Sequence, residues 1–276
     1  MTGAPLAGRA ALVTGASRRR GIGFAVARRL AELGANVAIH HHSAHDADQP
    51  WGADDLDAVR AGIRAALHPG ARFADLSGDL ADAAVPSRLV DEARNALGGL
   101  DVLVCNQARS GSDGTLLEMT PELLDGHWAV NTRATLLLTR RFAETYAAAD
   151  TPVDENRLGR VVWMTSGQQD GPMPGEVAYA TSKAALAGVT ATVARALLDR
   201  GMLLTTVNPG PVNTGYLDPE TADRPVDDIR AWVAGTPLGR FGTPDDVARL
   251  IGWLATDDAR WITGRVITSD GGLSLL

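Results

Sequence analysis

Short apolar runs alternate with amphipathic stretches along almost the whole chain. Runs near 10–14, 36–40, 71–75, 101–105, 159–165, 202–207 and 265–268 predict seven strands. Their near-continuous apolar character is that of strands buried on both faces. Between them, apolar positions three and four apart predict helices near 22–33, 54–67, 83–97, 121–147, 176–199 and 244–255. Such alternation predicts an α/β fold, a doubly wound parallel sheet with helices on both faces. Neither internal repeats nor low-complexity tracts divide the chain, so residues 1–276 are expected to form one domain. Two segments interrupt the alternation. Residues 43–53 predict a long polar loop, and 211–240, with Pro219, Pro225 and Pro237, predict an excursion. The second follows the sixth strand, on the carboxyl edge of the sheet where ligands bind.

Composition narrows the function classes. An apolar fraction of 45% with 21% charged residues is that of an ordinary globular chain. The net charge of −7 argues against a nucleic-acid or anionic-membrane surface. No apolar run approaches the ~20 residues of a membrane span, and the first residues lack the layout of a signal peptide. Cys105, the single cysteine, has no partner for an internal disulfide and fits a reducing cytoplasm. Its place at the end of a predicted strand suits a packed thiol better than a nucleophile. A cytoplasmic enzyme is expected.

Two motifs carry candidate chemistry. After the first strand comes Thr14-Gly15-Ala16-Ser17-Arg18-Arg19-Arg20-Gly21-Ile22-Gly23, then an amphipathic helix stopped by Gly34. Strand, glycine turn and helix form the first unit of a Rossmann-type dinucleotide fold, in which glycines admit a pyrophosphate to free helix N–H groups. The second motif is Tyr179-x-x-x-Lys183, with Ser166 thirteen residues before the tyrosine. A Tyr and Lys four apart share a helix face. There the ammonium lowers a phenol pKa that otherwise sits near ~10, making tyrosine an acid/base near neutrality.

Together these residues resemble the short-chain dehydrogenase/reductase family, in its ketoacyl-reductase-like branch. The likeness runs from about Gly8 to Gly272. It includes the glycine turn, Asp79-Leu80, Asn106, Asn131, the Ser166/Tyr179/Lys183 set, the run from Asn208 to Thr214, and Ser269-Asp270-Gly271-Gly272. The resemblance implies Asn131, Ser166, Tyr179 and Lys183 as catalytic residues, Asn131 supporting a water that links Lys183 to solvent. It implies a cofactor site of Gly15, Ser17, Arg18, Arg20, Gly21, Ile22, Gly23, Asp79, Leu80, Asn106, Gln107, Ala108, Lys183, Pro209, Gly210, Val212 and Thr214, with a substrate lid over 211–240. It also implies a homotetramer or homodimer, consistent with the apolar tail 273–276.

Three departures stand out. The glycine turn carries two residues beyond the common TGASRGIG form, leaving three arginines where one is usual. Gln107 replaces a smaller residue near the expected nicotinamide ribose, and an insertion lies around 149–158. An NAD enzyme commonly ends its second strand with a carboxylate that repels a 2′-phosphate. Here the strand ends in His40-His41-His42-Ser43, with no acid before Asp46, and arginines crowd the turn. This favours NADP(H), with His42 or the edge of His40 near the phosphate. A metal site on His40, His41, His42 and His45 is rejected, because adjacent strand residues face opposite ways. Gln168 follows Ser166 as a candidate substrate contact, and Met173 and Trp232 are candidate pocket walls.

The expectation is an NADP(H)-dependent reduction of a ketone, with a β-ketoacyl thioester and a natural-product intermediate as candidate substrates, needing no metal and no covalent intermediate. Open alternatives are an NAD(P)-dependent alcohol or sugar dehydrogenase, an NADP(H)-sensing protein without turnover, and imine reduction or dehydration.

Overall fold

The computed structural model describes residues 4–146, 153–222 and 225–276. Seven strands, β1 (Ala10–Val13), β2 (Asn36–His41), β3 (Phe73–Ser77), β4 (Val102–Cys105), β5 (Gly159–Met164), β6 (Met202–Asn208) and β7 (Arg265–Thr268), form one sheet. Their order is β3-β2-β1-β4-β5-β6-β7, and every pairing is parallel. All seven predicted strands are present.

Strand alternation builds two cores. In β1, Ala11 and Val13 face one side while Ala10 and Leu12 face the other. In β4, Val102 and Val104 oppose Leu103 and Cys105 in the same way. On the first side lie α1 (Ile22–Glu32), α3 (Leu56–Arg64) and α9 (Pro244–Leu254). On the second lie α4 (Val85–Leu97), α6 (Ala134–Tyr146) and α7 (Val177–Leu198). Trp163 of β5 is fully buried there, and its indole N–H donates to Thr139 Oγ1 at 2.9 Å. That bond satisfies the polar end of the largest buried side chain.

Chain order reverses between β1 and β4, so their carboxyl ends open a crevice at the topological switch point. The glycine turn and Asn106 stand on its two rims.

Three details depart from the sequence expectation. The helix expected over 121–147 is α5 (Pro121–His127), a π turn (Trp128–Arg133) and then α6. The polar loop 43–53 contains the short helix α2 (Ser43–Ala47), and the excursion 211–240 contains α8 (Asp227–Ala234). Pro225, just before α8, is compatible with a helix beginning soon after it. Of the insertion around 149–158, residues 149–152 lie outside the described residues.

Candidate active site

Backbone contact shapes the first rim of the crevice. Gly15 has φ +67°, and a Cβ there would stand 2.8 Å from the Gln107 Cα. A Cβ on Gly23 would lie 2.3 Å from the Gly15 carbonyl oxygen. Asn106 Nδ2 donates to the Thr14 and Gly15 carbonyls at 3.1 and 3.0 Å, tying the turn to β4. Gly21 precedes α1, which has no side-chain cap and no acidic residue in its first turn. An uncapped helix N-terminus beside a glycine cradle fits a pyrophosphate. Ile22 and Gly23 open that helix, and Ser17 precedes it in the turn.

At the adenosine end, all three arginines meet acids. Arg19 makes a bidentate pair with Asp54, and Arg20 meets Asp218 at 2.5 Å. Arg18 lies under the face of Trp51 and 3.4 Å from Asp46, whose carboxylate also accepts from Ser17 Oγ. Arg20–Asp218 therefore joins the lengthened turn to the segment after β6, where Asp218 also accepts from Asn213.

The histidines diverge. His40 is buried, its Nε2 2.9 Å from the Gly78 carbonyl and its Nδ1 accepting from Gly15 N–H at 3.4 Å. Burial lowers its pKa to about 4, so the ring is neutral. This corrects the expected phosphate contact: strand alternation turns His40 inward, where it bridges the glycine turn to the end of β3. His41 turns to Asp75 at 3.2 Å, and His42 sits at the start of α2.

Gln107 is also corrected. Its side chain points into the protein, accepting from Thr14 Oγ1 and donating to the Val130 carbonyl (3.2 Å) and Thr135 Oγ1 (2.8 Å). Those partners absorb its amide, so the larger residue costs the crevice no space; Ala108 follows it. Asp79 is exposed and accepts from the Ala81 N–H, while Leu80 beside it is buried.

Across the crevice, Ser166 follows β5 in extended backbone and leads into a 3₁₀ turn, Gly167–Gln169. Lys183 is buried on α7, its Nζ donating to the Met164 carbonyl at 3.0 Å and standing 5.7 Å from the centre of the Tyr179 ring. Burial lowers this ammonium from 10.5 to about 8. Burial also pushes the Cys105 thiol up to about 12, which keeps it protonated and unreactive. Gln168 donates to Thr165 Oγ1 at 3.1 Å, leaving its buried Oε1 without a partner. That is a free acceptor next to Ser166.

Asn131 lies in the π turn. Its side chain accepts from Arg109 N–H (2.7 Å) and donates to the Arg109 carbonyl (3.1 Å) and Ser182 Oγ (3.0 Å). The amide is thus committed to holding the loop after β4 against α7. Any support for a water falls to its main-chain carbonyl, which already accepts from Thr135 Oγ1.

Gly210 has φ +64°, and a Cβ there would press on Asp270 at 2.4 Å. This close approach packs Pro209-Gly210 against the terminal Ser269-Asp270-Gly271-Gly272 run. Val212 is buried and pairs with Gly242, with Thr214 partly exposed beyond it. Met173 is partly buried; Trp232 on α8 is 46% exposed and builds no closed wall.

Two site neighbours went unnoticed in the sequence. Asp113 accepts from the N–H groups of Ala178 and Tyr179, and His127 packs edge-on against the Tyr179 ring. His127 stands four residues before Asn131, so helical spacing alone flags it as a same-face neighbour. Asp113 had no local signal, because its partners are 65 and 66 residues away.

Residues 15–274 match a family profile described as "Enoyl-(Acyl carrier protein) reductase". An uncharacterized oxidoreductase, YjdA, of Bacillus subtilis is 35% identical, with 95% of each chain covered. An NADPH-dependent aldehyde reductase-like chloroplastic protein of Arabidopsis thaliana is 32% identical over 97% of this chain and 95% of its own. The solved structure of a short-chain dehydrogenase/reductase from Serratia marcescens superposes with a TM-score of 0.79 at 32% identity, covering 98% of this chain and 99% of that one. With the parallel seven-stranded sheet, the glycine turn, and Tyr179 and Lys183 side by side on one helix, the chain belongs to the short-chain dehydrogenase/reductase family of oxidoreductases.

Proposed function

We propose that the protein reduces a ketone to a secondary alcohol with NADP(H), Tyr179 acting as general acid. The carrying observation is the buried Lys183 ammonium beneath the Tyr179 ring, within one helix that borders the cofactor crevice. A packed structural tyrosine has no need of a buried cation, which is costly to keep. The glycine turn of Gly15, Gly21 and Gly23 with the N-terminus of α1 would hold the coenzyme, whose nicotinamide would supply hydride for the carbonyl carbon. Tyr179 donates its proton to the carbonyl oxygen, so the C=O bond becomes CH–OH. Lys183 favours the phenolate that remains, and Ser166 orients the oxygen by hydrogen bonding. Gln168 Oε1 offers an acceptor to a substrate hydroxyl or amine beside the reacting carbon. Oxidation of an alcohol runs through the same residues in reverse, and the direction follows from substrate and coenzyme supply. The segment 211–240 is the substrate lid, the chain acts as a single domain, and a homodimer or homotetramer is the working assembly.

Coenzyme choice turns on Arg18 and Asp46. Of the three turn arginines, Arg18 is the one farthest from its acid, at 3.4 Å, and is the one to turn to a 2′-phosphate. One such charge-assisted bond contributes ~1.5–3 kcal/mol, a tenfold or greater preference. The NADPH-dependent name of the Arabidopsis relative supports this choice. Asp46 favours the opposite reading, NAD(H), because a carboxylate there can bind ribose hydroxyls. Binding of NADPH and NADH to wild type, Arg18→Ala and Asp46→Asn separates them. The NADP(H) reading expects tighter NADPH binding, weakened selectively by Arg18→Ala. Tighter NADH binding that Asp46→Asn abolishes would reverse the assignment.

A further inference from the structure

The first turn of α7, which carries Tyr179, is capped from a distance. Glu176, at the cap position, makes no side-chain cap bond. Instead the Val177 N–H donates to the Gly114 carbonyl at 3.2 Å, and the Ala178 and Tyr179 N–H groups donate to the Asp113 carboxylate at 3.0 and 2.7 Å. Asp113 also accepts from the Gly114 N–H at 2.8 Å. Its side chain is only 5% exposed. A carboxylate on the first N–H groups of a helix is favourable, because it meets both unpaired donors and the positive end of the dipole.

The loop that delivers Asp113 is strained. Ser112, at φ +47°, is the only non-glycine with positive φ among the described residues, and Gly111 before it has φ +73°. Such a conformation persists only when its surroundings over-determine it, and it clusters at functional sites.

His127, at the end of α5, completes the arrangement. It is fully buried, and neither ring nitrogen reaches a partner at hydrogen-bonding geometry. Its ring meets the Tyr179 ring edge-on at 6.3 Å and 83°, and its Nε2 is 3.9 Å from the Asp113 carboxylate. Burial lowers its pKa, with Asp113 and the Ser112 and Gly111 carbonyls opposing and Arg109 assisting. The Asp113 carboxylate and the Ser112 and Gly111 carbonyls face the imidazole, and its aromatic partner among the described residues is Tyr179.

We propose that Asp113 and His127 are positioning residues for Tyr179, the carboxylate seating the first turn of α7 and the imidazole edge bracing the phenol ring. Asp113 also opposes Lys183 electrostatically: one charge lies at the helix N-terminus and the other one turn beyond the tyrosine. The charged and titratable groups shown beside Tyr179 or on the elements packed against it are Lys183 on its own helix, Glu176 at the head of that helix, His127 from α5, and Arg109, which faces His127 from the loop after β4. Removing the Asp113 charge favours phenolate, so Tyr179 titrates lower.

The kinetic part rests on the proposed function, but the titration needs no substrate. Phenolate absorbance is followed against pH in wild type and Asp113→Asn, with Tyr179→Phe subtracted from each to remove Tyr146 and Tyr216. Asp113→Asn is expected to titrate at lower pH than wild type, and Asp113→Glu, which keeps the charge, to return toward wild type. Identical titrations in wild type and Asp113→Asn, or Asp113→Glu moving as far as Asp113→Asn, would overturn the electrostatic role. For His127, kcat and KM are measured with any carbonyl substrate that wild type turns over. His127→Ala is expected to lose about tenfold in kcat at unchanged KM, and His127→Phe, which keeps an aromatic edge, to recover most of it. Equal losses in both variants would overturn the bracing role. An unchanged kcat in His127→Ala would do the same.

Discussion

Replacing Lys183 by methionine should make the protein more stable near neutral pH while removing its activity. Lys183 is 2% exposed, and burial lowers its pKa to about 8, against 10.5 for the free side chain. Between those values the unfolded chain binds the proton that the folded one has released, so wild-type stability rises with pH. Below pH 8 both states are protonated, and the folded state carries the full cost of the buried charge. At ~1.4 kcal/mol per unit, about 2.5 units correspond to about 3 kcal/mol as an upper bound. Methionine fills similar volume without charge but leaves the Met164 carbonyl without its 3.0 Å donor, a loss of about 1 kcal/mol. The net expectation is a gain of about 2 kcal/mol near pH 7, shrinking to within about 1 kcal/mol of zero near pH 10. Urea unfolding of both proteins without cofactor, at the two pH values, measures it. A methionine variant destabilised equally at both would refute the reasoning, since a buried charge would then not be what Lys183 costs.

The crevice supplies further expectations. Gly23→Ala drives a Cβ against the Gly15 carbonyl at 2.3 Å, and should weaken coenzyme binding more than tenfold while costing about 2 kcal/mol or more of stability. Calorimetric binding and urea unfolding check both, and unchanged affinity would contradict the cradle. Gln107→Leu strips hydrogen bonds from Thr14, Val130 and Thr135, for a loss of about 1–3 kcal/mol, with coenzyme affinity held within about twofold. Lost affinity at unchanged stability would return Gln107 to the cofactor surface.

The inner strands β1, β4, β5 and β6 were legible because they are buried throughout and so read as largely apolar runs. β1 and β5 stood out for this reason, and Tyr179, Lys183 and Ser166 stood out by spacing. The π turn around Asn131 was not legible, since its periodicity over six residues is that of an ordinary helix. Side-chain direction was the commoner failure. His40 and Gln107 occupy the expected places in the chain but turn inward, because partners 23 to 93 residues away satisfy them. Pairing had the same limit. The three turn arginines are visible as a run of charge, yet nothing local shows that Asp46, Asp54 and Asp218 meet them. Asp113 is the clearest instance, a side-chain cap supplied from another segment to a helix whose own cap residue makes no side-chain cap bond.

The most direct measurement is turnover of Tyr179→Phe beside wild type across a carbonyl panel of ketoacyl thioesters, quinones, keto sugars and simple ketones, with NADPH affinity measured on the same preparations. A general-acid Tyr179 predicts that wild type consumes NADPH with at least one ketone class. The variant, which lacks only the hydroxyl, should bind NADPH within about twofold yet lose about 10²–10⁴ in kcat. Turnover that survives in Tyr179→Phe would contradict the assignment, and tight NADPH binding by a wild type inactive on every carbonyl would contradict the reductase itself.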